Sequence, residues 1–368
     1  MNIGLVKEIK KDEYRVGLTP ASAGEYIKNG HRVTVEKSAG IGSGFTDKLY
    51  KNEGCHIESN RRKIYDTCEM IIKVKEPLEE ECEFFHEGQL LYTYLHLAAD
   101  KALTEMLLEK KITGIAYETV MEDDGSLPLL KPMSEIAGRL SIQEGAKYLE
   151  RPFGGRGVLL GGVPGIRRGK VTIVGGGVVG TNACKIAVGL GAEVTILDIS
   201  AKRLTYLDDI FGSSITTLYS NATNIEECLI EADLIIGAVL IPGGAAPKLI
   251  TRNHLKIMKK GAVIVDVAVD QGGCVETTKP TYHSNPTFIV DDVVHYCVAN
   301  MPGVVALSST YALTSVTNRY GIFIANNGLD HAVKNSNAIK HGVNTYKGKL
   351  VYEPVAQAHR IDYTPLGK

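Results

Sequence analysis

The stretch KVTIVGGGVVGTNACKIAVGLGAEVTILD, residues 170–198, decides the fold. It reads as strand, tight glycine turn, helix and strand. Val171, Ile173 and Val174 form a short apolar run rich in β-branched residues, as suits a parallel strand covered on both faces. Gly175-Gly176-Gly177-Val178-Val179-Gly180 supplies G-x-G-x-x-G. In that pattern Gly175 makes the turn, Gly177 lets backbone approach a pyrophosphate, and Gly180 lets helix pack on strand. The helix expected over 181–190 points its N-terminal N–H groups and positive dipole end at that anion. The next strand, 193–197, leads into Asp198, about 20 residues past the glycines, where a carboxylate can bind a ribose 2′-OH. This order implies a bound dinucleotide. Asp198 would repel a 2′-phosphate and so favours NAD over NADP, with Arg203 a countercharge close by in sequence.

Outward from this stretch, 368 residues suggest about two domains with ample core. A net charge of -1 provides neither a basic field for nucleic acid nor a polybasic membrane patch. The opening MNIGLVKEIKKDEYR is strand-like and then charged, unlike a signal peptide. No apolar run approaches the roughly 20 residues that span a bilayer. Cys55, Cys68, Cys82, Cys184, Cys228, Cys274 and Cys297 are scattered and form no C-x-x-C. That pattern fits reduced thiols in a cytoplasmic protein, with no disulfide framework and no metal site. Cys184, on the glycine-loop helix, reads as core.

In chain order, residues 1–8 read as a strand, and Thr19-Pro20 starts a helix that Gly30 ends. Strands are expected at 32–36, 69–75, 89–95 and 112–119. Helical segments are expected at 47–54 and after Asp100, which can cap the second. This alternation implies a parallel α/β layer ahead of the glycine motif. Residues 134–150 read as a connecting helix capped by Ser134, and 154–169 as a glycine-rich loop. Strands at 215–219, 234–239, 262–268 and 287–290 bring the nucleotide-domain sheet to six. Helices at 308–326 and 330–340 and a short tail from 350 close the chain, the first returning it to the first domain.

In such sheets ligands gather at the carboxyl ends of strands, beside the topological switch point. Two loops of the nucleotide domain qualify: one beginning Val239-Leu240, and Val267-Ala268-Val269-Asp270 with the following Gln271-Gly272-Gly273. Asp270 is a carboxylate suited to the nicotinamide edge, or else a cap. In the first domain His96 ends LLYTYLHL and titrates near neutrality, so it can act as acid or base. Lys75 ends IIKVK, with Lys73 on the same face by period two, the ordinary expectation being a solvated strand face. Arg15 follows the first strand in a charged loop, where arginine is ordinarily on the surface. Together Arg15, Lys75 and His96 can line one cleft, and they suit a small substrate with a carboxylate beside a carbonyl or amine.

Several longer blocks go further: KEIKKDEYRVGLTP at 7–20, KVKEP at 73–77, GRLSIQEGAKYLE at 138–150, GVLLGGVPG at 157–165, VDVAVDQGG at 265–273 and HYCVANMPG at 295–303. Over essentially its whole length the sequence resembles the alanine dehydrogenase and transhydrogenase alpha-subunit family. The resemblance implies an α/β fold of two Rossmann-like doubly wound domains joined by long connecting helices. A discontinuous catalytic domain, 1–133 and 307–368, would hold an inserted NAD-binding domain, 134–306. It implies reversible NAD-dependent oxidation of L-alanine to pyruvate and ammonia. Arg15 and Lys75 become ligands of the substrate carboxylate and carbonyl, and His96 and Asp270 the acid/base pair. On the cofactor side it points to Ser134, Val178, Asp198, Arg203, Ser220, Val239, Lys279, Val298, Ala299, Asn300 and Met301. It also implies a homohexamer.

Asn318-Arg319-Tyr320-Gly321 replaces a more apolar, proline-containing stretch, and Ala306 stands where the family often has proline. Both bear on helix packing or subunit contacts rather than on chemistry. Two other readings share the fold. An NAD-binding subunit of a proton-translocating transhydrogenase would pass hydride to a second nucleotide on a partner and need no amino-acid pocket. A non-catalytic NAD-binding protein would be expected to lack some of Arg15, Lys75, His96 and Asp270, and all four are present.

Overall fold

The computed structural model describes residues 1–239 and 246–367, with Gln271 by its backbone alone. Leu240, the second residue of its candidate loop, lies outside the described residues. The chain divides into two compact units, Met1–Met133 with Gly303–Lys368, and Ser134–Pro302. The second division falls a few residues before the boundary expected at 306.

The first unit opens with strands Asn2–Leu5 (β1), Arg32–Glu36 (β2), His56–Glu58 (β3), Met70–Ile72 (β4), Leu90–Thr93 (β5) and Thr113–Ala116 (β6). The second holds Lys170–Val174 (β7), Glu193–Asp198 (β8), Ile215–Tyr219 (β9), Leu234–Gly237 (β10), Val263–Asp266 (β11), Thr287–Val290 (β12) and Val293–Tyr296 (β13). Val343–Tyr346 (β14) and Lys349–Leu350 (β15) return to the first. The two sheets run β15-β14-β6-β5-β4-β1-β2-β3 and β12-β13-β11-β10-β7-β8-β9. Among the described residues the named strands pair in parallel except for β14 with β6 and β15, and β12 with β13. Central strands such as β4, β5, β10 and β11 are buried along their length, as two helix-covered faces require. Ile71, Leu91, Leu95 and Leu107 anchor one core, and Leu197, Ile235, Ile264 and Leu229 the other.

Local chemistry sets the helix starts. Thr19 accepts from the N–H of Ser22 at 3.1 Å ahead of Pro20–Lys28, and Asp100 from Leu103 at 2.9 Å ahead of Lys101–Glu109. Other expectations need correction. The connecting helix is Lys131–Tyr148, so Ser134 stands inside its first turn and does not cap it. The glycine-loop helix begins at Val178, with Gly177 as its N-cap. Strand β3 and helix Arg61–Thr67 lie where no element was expected; β3 is an edge strand of three residues, too short for a period to show. The second sheet has seven strands, because β12 turns straight back into β13. Residues 330–340 form two helices, Leu329–Asn335 and Asn337–Gly342, divided where the Ser336 hydroxyl accepts from Ile339. The tail contains helix Glu353–His359.

Helix Ala306–Asn327 runs unbroken through the departure at 318–321. A Cβ on Gly321 would stand 2.0 Å from the Tyr26 hydroxyl, so only glycine lets that ring in. Asn318 donates to Glu25, and Tyr320 and Arg319 both donate to Glu122.

Candidate active site

In the first sheet the strand order reverses at β1, whose neighbours are β4 and β2. Arg15 follows β1 and Lys75 follows β4, so the switch point carries both cations. His96 follows β5, the neighbour of β4.

Neither cation is solvated. Arg15 is 3 % exposed and Lys75 8 %. Glu13 chelates Arg15, accepting from Nε at 2.7 Å and from Nη2 at 2.6 Å, while Nη1 meets the Met133 Sδ at 3.1 Å. Burial alone would lower the guanidinium pKa, but the Glu13 carboxylate holds it above its ordinary value. Strand β4 stops at Ile72, short of the expected 75. Beyond it Lys73 is fully buried between Glu8 at 3.0 Å and Glu81 at 2.9 Å. The expected solvated strand face is therefore a buried ion cluster. Burial, against the pull of Lys73, holds the Glu8 carboxyl above its usual range. Glu8 also accepts the backbone N–H of Val74 at 2.6 Å and of Lys75 at 3.4 Å, so it fixes the segment carrying Lys75.

His96 is left-handed, with φ +50°, an uncommon state for a non-glycine residue. Glu118 secures it by accepting the N–H of Leu95 at 3.2 Å and of His96 at 2.6 Å. The same carboxylate lies 4.0 Å from Nδ1, and the Tyr94 ring stacks on the imidazole at 5.9 Å. The side chain is 44 % exposed, yet desolvation by the surrounding chain lowers its pKa. Glu118 opposes that shift and Lys75 reinforces it. A neutral imidazole at pH 7 can accept a proton. Glu13, Glu8 and Glu118 were missed in the sequence because a carboxylate that grips backbone N–H groups has no spacing signature.

The second sheet reverses between β10 and β8 about β7, and the turn after β7 is the glycine motif. Gly175 has φ +105°, and a Cβ there would lie 2.7 Å from the Ala238 carbonyl oxygen. A Cβ on Gly180 would stand 1.8 Å from the Gly175 oxygen. A Cβ on Gly177 would meet no atom of the chain within 4 Å. The first two glycines thus serve the fold, and the third clears an exposed face at a helix N-terminus, as a pyrophosphate requires. These residues fit a dinucleotide. Asp198 accepts the Gly176 N–H at 2.7 Å and the Ser200 N–H at 2.8 Å. Arg203 donates to the Gly176 carbonyl and the Thr181 hydroxyl and lies over the Tyr206 ring at 4.6 Å. It braces the turn.

Ser220 donates its N–H to the Asp198 carbonyl at 3.0 Å, and Val239 follows β10 at the switch point. Lys279 is exposed, with Nζ 5.0 Å from the Phe288 ring centre. Val298 and Met301 are buried, Ala299 donates to the Thr281 carbonyl at 3.3 Å, and the Asn300 carbonyl meets His283 at 2.8 Å. Val267 and Ala268 lead from β11 into a single turn, Val269–Gln271, that presents Asp270 at the surface. Beneath it Asp266 is fully buried. Burial pushes this carboxyl up, while hydrogen bonds from Thr278 and from backbone N–H groups pull it back.

Fold and site define an α/β protein of two doubly wound units, one of them with a glycine turn that fits a dinucleotide. Family profiles described as the N-terminal and C-terminal domains of alanine dehydrogenase/PNT match residues 4–137 and 141–353. An alanine dehydrogenase of Methanococcus maripaludis is 58 % identical over 369 residues, covering 100 % of this chain and 99 % of that one. One from Bacillus subtilis is 55 % identical, covering 100 % and 97 %. A solved L-alanine dehydrogenase superposes with a TM-score of 0.95 at 52 % identity, covering 98 % and 99 %. A transhydrogenase from Sinorhizobium meliloti shares the fold, with a TM-score of 0.81 at 23 % identity over 96 % and 99 %. The chain belongs to the alanine dehydrogenase/PNT family.

Proposed function

We propose that this protein is an NAD-dependent amino-acid dehydrogenase that converts L-alanine, NAD⁺ and water reversibly to pyruvate, ammonium and NADH, with release of a proton. The first unit is the substrate unit and the second the cofactor unit. The observation that carries this reading is the first switch point, where two buried cations and a neutral imidazole share the strand ends of one sheet. A transhydrogenase subunit has no use for that set.

Arg15, preset by Glu13, and Lys75, preset by Glu8, bind the substrate carboxylate and the developing carbonyl oxygen. Bound on the cofactor side, NAD⁺ would supply the acceptor for the hydride that leaves Cα. Loss of hydride converts the amine to an iminium ion, and water attacks its carbon. His96 accepts the proton that water gives up. The carbinolamine nitrogen then takes up a proton, the C–N bond breaks to release ammonia, and the hydroxyl gives up its proton as the C=O bond of pyruvate forms, with Asp270 the second acid/base group. Holding the reacting groups in place supplies several kcal/mol, and acid/base transfer about 10²–10⁴-fold in rate. The Gly175–Gly180 turn, Asp198, Ser220, Val239 and the loops at 267–270 and 298–301 form the cofactor side, with Ser134, Arg203 and Lys279. Asp198 receives the ribose 2′-OH, and the commitment of Arg203 to Gly176 and Thr181 leaves the carboxylate to exclude a 2′-phosphate. We place the enzyme in the cytoplasm as a homohexamer.

Purified protein with NAD⁺ and L-alanine should show NADH absorbance, with NADP⁺, L-serine and no-substrate controls alongside. No NADH under any condition, with NAD⁺ still bound, would refute the dehydrogenase reading and favour a transhydrogenase-like one.

A further inference from the structure

Asp270 stands at the surface on one turn of 3₁₀ helix, and such a turn has little rigidity of its own. Gly272 and Gly273, at φ +86° and +75°, bring the chain back towards β11. The buried carboxylate of Asp266, the last residue of β11, ties the two stems of this loop together. Its Oδ1 accepts the Ala268 N–H at 3.1 Å on the outgoing stem and lies 3.7 Å from the Cys274 Sγ. Its Oδ2 accepts the Val275 N–H at 3.2 Å and the Thr278 hydroxyl at 2.8 Å on the returning stem. Two glycines make room for it. A Cβ on Gly273 would stand 2.5 Å from Oδ2, and one on Gly237 would stand 3.1 Å from Oδ1 and 2.5 Å from the Cys274 Sγ. A buried carboxylate is costly unless donors surround it, and here both oxygens are occupied by the loop that carries Asp270.

We propose that Asp266 is a positioning residue, a buried clamp whose bonds to Ala268, Val275 and Thr278 set where Asp270 stands during turnover. This rests on the acid/base role of Asp270 proposed above. Asparagine has nearly the same shape but a single acceptor oxygen, so Asp266→Asn must leave at least one of the two backbone N–H groups without its acceptor. Thr278→Val removes one donor at nearly constant volume, and Thr278→Ser keeps it.

The experiment uses the full chain and compares Asp266→Asn, Thr278→Val, Thr278→Ser and Asp270→Asn. It measures kcat for alanine oxidation, Kd for NAD⁺ and Tm. Asp266→Asn and Thr278→Val should lower kcat at least about tenfold with Kd for NAD⁺ within about threefold, while Thr278→Ser keeps kcat. Should Asp266→Asn not fold, the Thr278 pair decides alone. Wild-type kcat in Thr278→Val, with Asp270→Asn inactive, would overturn the clamp and spare the role of Asp270. Equal losses in Thr278→Ser and Thr278→Val, or loss of NAD⁺ binding in step with kcat, would reduce Asp266 to a structural residue. Wild-type turnover in Asp270→Asn would overturn the role of Asp270 and the clamp with it.

Discussion

After β1 and β4 the first unit carries Arg15 and Lys75, each buried and each organised by a glutamate. After β7 and β10 the second unit carries glycines and Val239. Both pairs of strand ends lie at a reversal of strand order, so topology is common to the two and the chemistry is not. A small carboxylate substrate needs point charges, which must be carried on side chains and held in place by buried partners. A pyrophosphate can be held by backbone N–H groups at a helix end, which asks for the absence of side chains. One switch point is therefore dense in ion pairs and the other is cleared by glycine.

The comparison breaks most visibly at His96. His96→Ala should cost about 10²–10⁴-fold in kcat while leaving Kd for NAD⁺ unchanged, because the histidine belongs to the first unit, to which we assign the substrate. Full turnover in steady-state kinetics would remove it from the chemistry. In the other unit Gly180→Ala sets a Cβ 1.8 Å from the Gly175 oxygen. It should destabilise the protein by roughly 2–3 kcal/mol or more in urea unfolding. Gly177→Ala is its counterpart. The residue has φ -64°, open to alanine, so stability should hold or rise by about 0.4–1 kcal/mol. NAD⁺ binding, followed by calorimetry, should nonetheless weaken at least about tenfold, near 1.4 kcal/mol. Unchanged binding would end the assignment of that face to the cofactor.

A subtler effect concerns pH. In the proposed role His96 is a base when neutral, and its pKa lies below the ordinary 6.5, so the acid limb of log kcat/KM should bend below that value. Glu118 raises that pKa, so Glu118→Gln should move the bend to still lower pH. An upward shift in the pH–rate profile would contradict the arrangement. Smallest of all, Arg319→Ala removes an exposed pair with Glu122 at 3.0 Å. It should cost no more than about 1 kcal/mol in thermal unfolding and leave kcat alone.

Where a feature is local, the residues announced it. The β7 strand, the glycine turn and Asp198 follow from period, φ demands and spacing over fewer than about thirty residues. The caps at Thr19 and Asp100 likewise depend on neighbours three residues away. Ser134 misled because its residue type suits a cap, whereas the helix already begins at Lys131. Short strands such as β3 carry too few residues for alternation to show, and β14 reaches its place only by pairing with β6 from far along the chain.

The sequence by itself therefore determined the α/β class and the dinucleotide motif, and it singled out Arg15, Lys75, His96 and Asp270 as candidates for the chemistry. Only the tertiary structure decided what surrounds those groups. Glu13 lies beside Arg15, but Glu8 reaches Lys75 across 67 positions and Glu118 reaches His96 across 22. Charge state and orientation depend on burial and on partners a few ångströms away. Both are properties of distance in space, and a linear order of residues does not contain them until the sheet has brought its strand ends together.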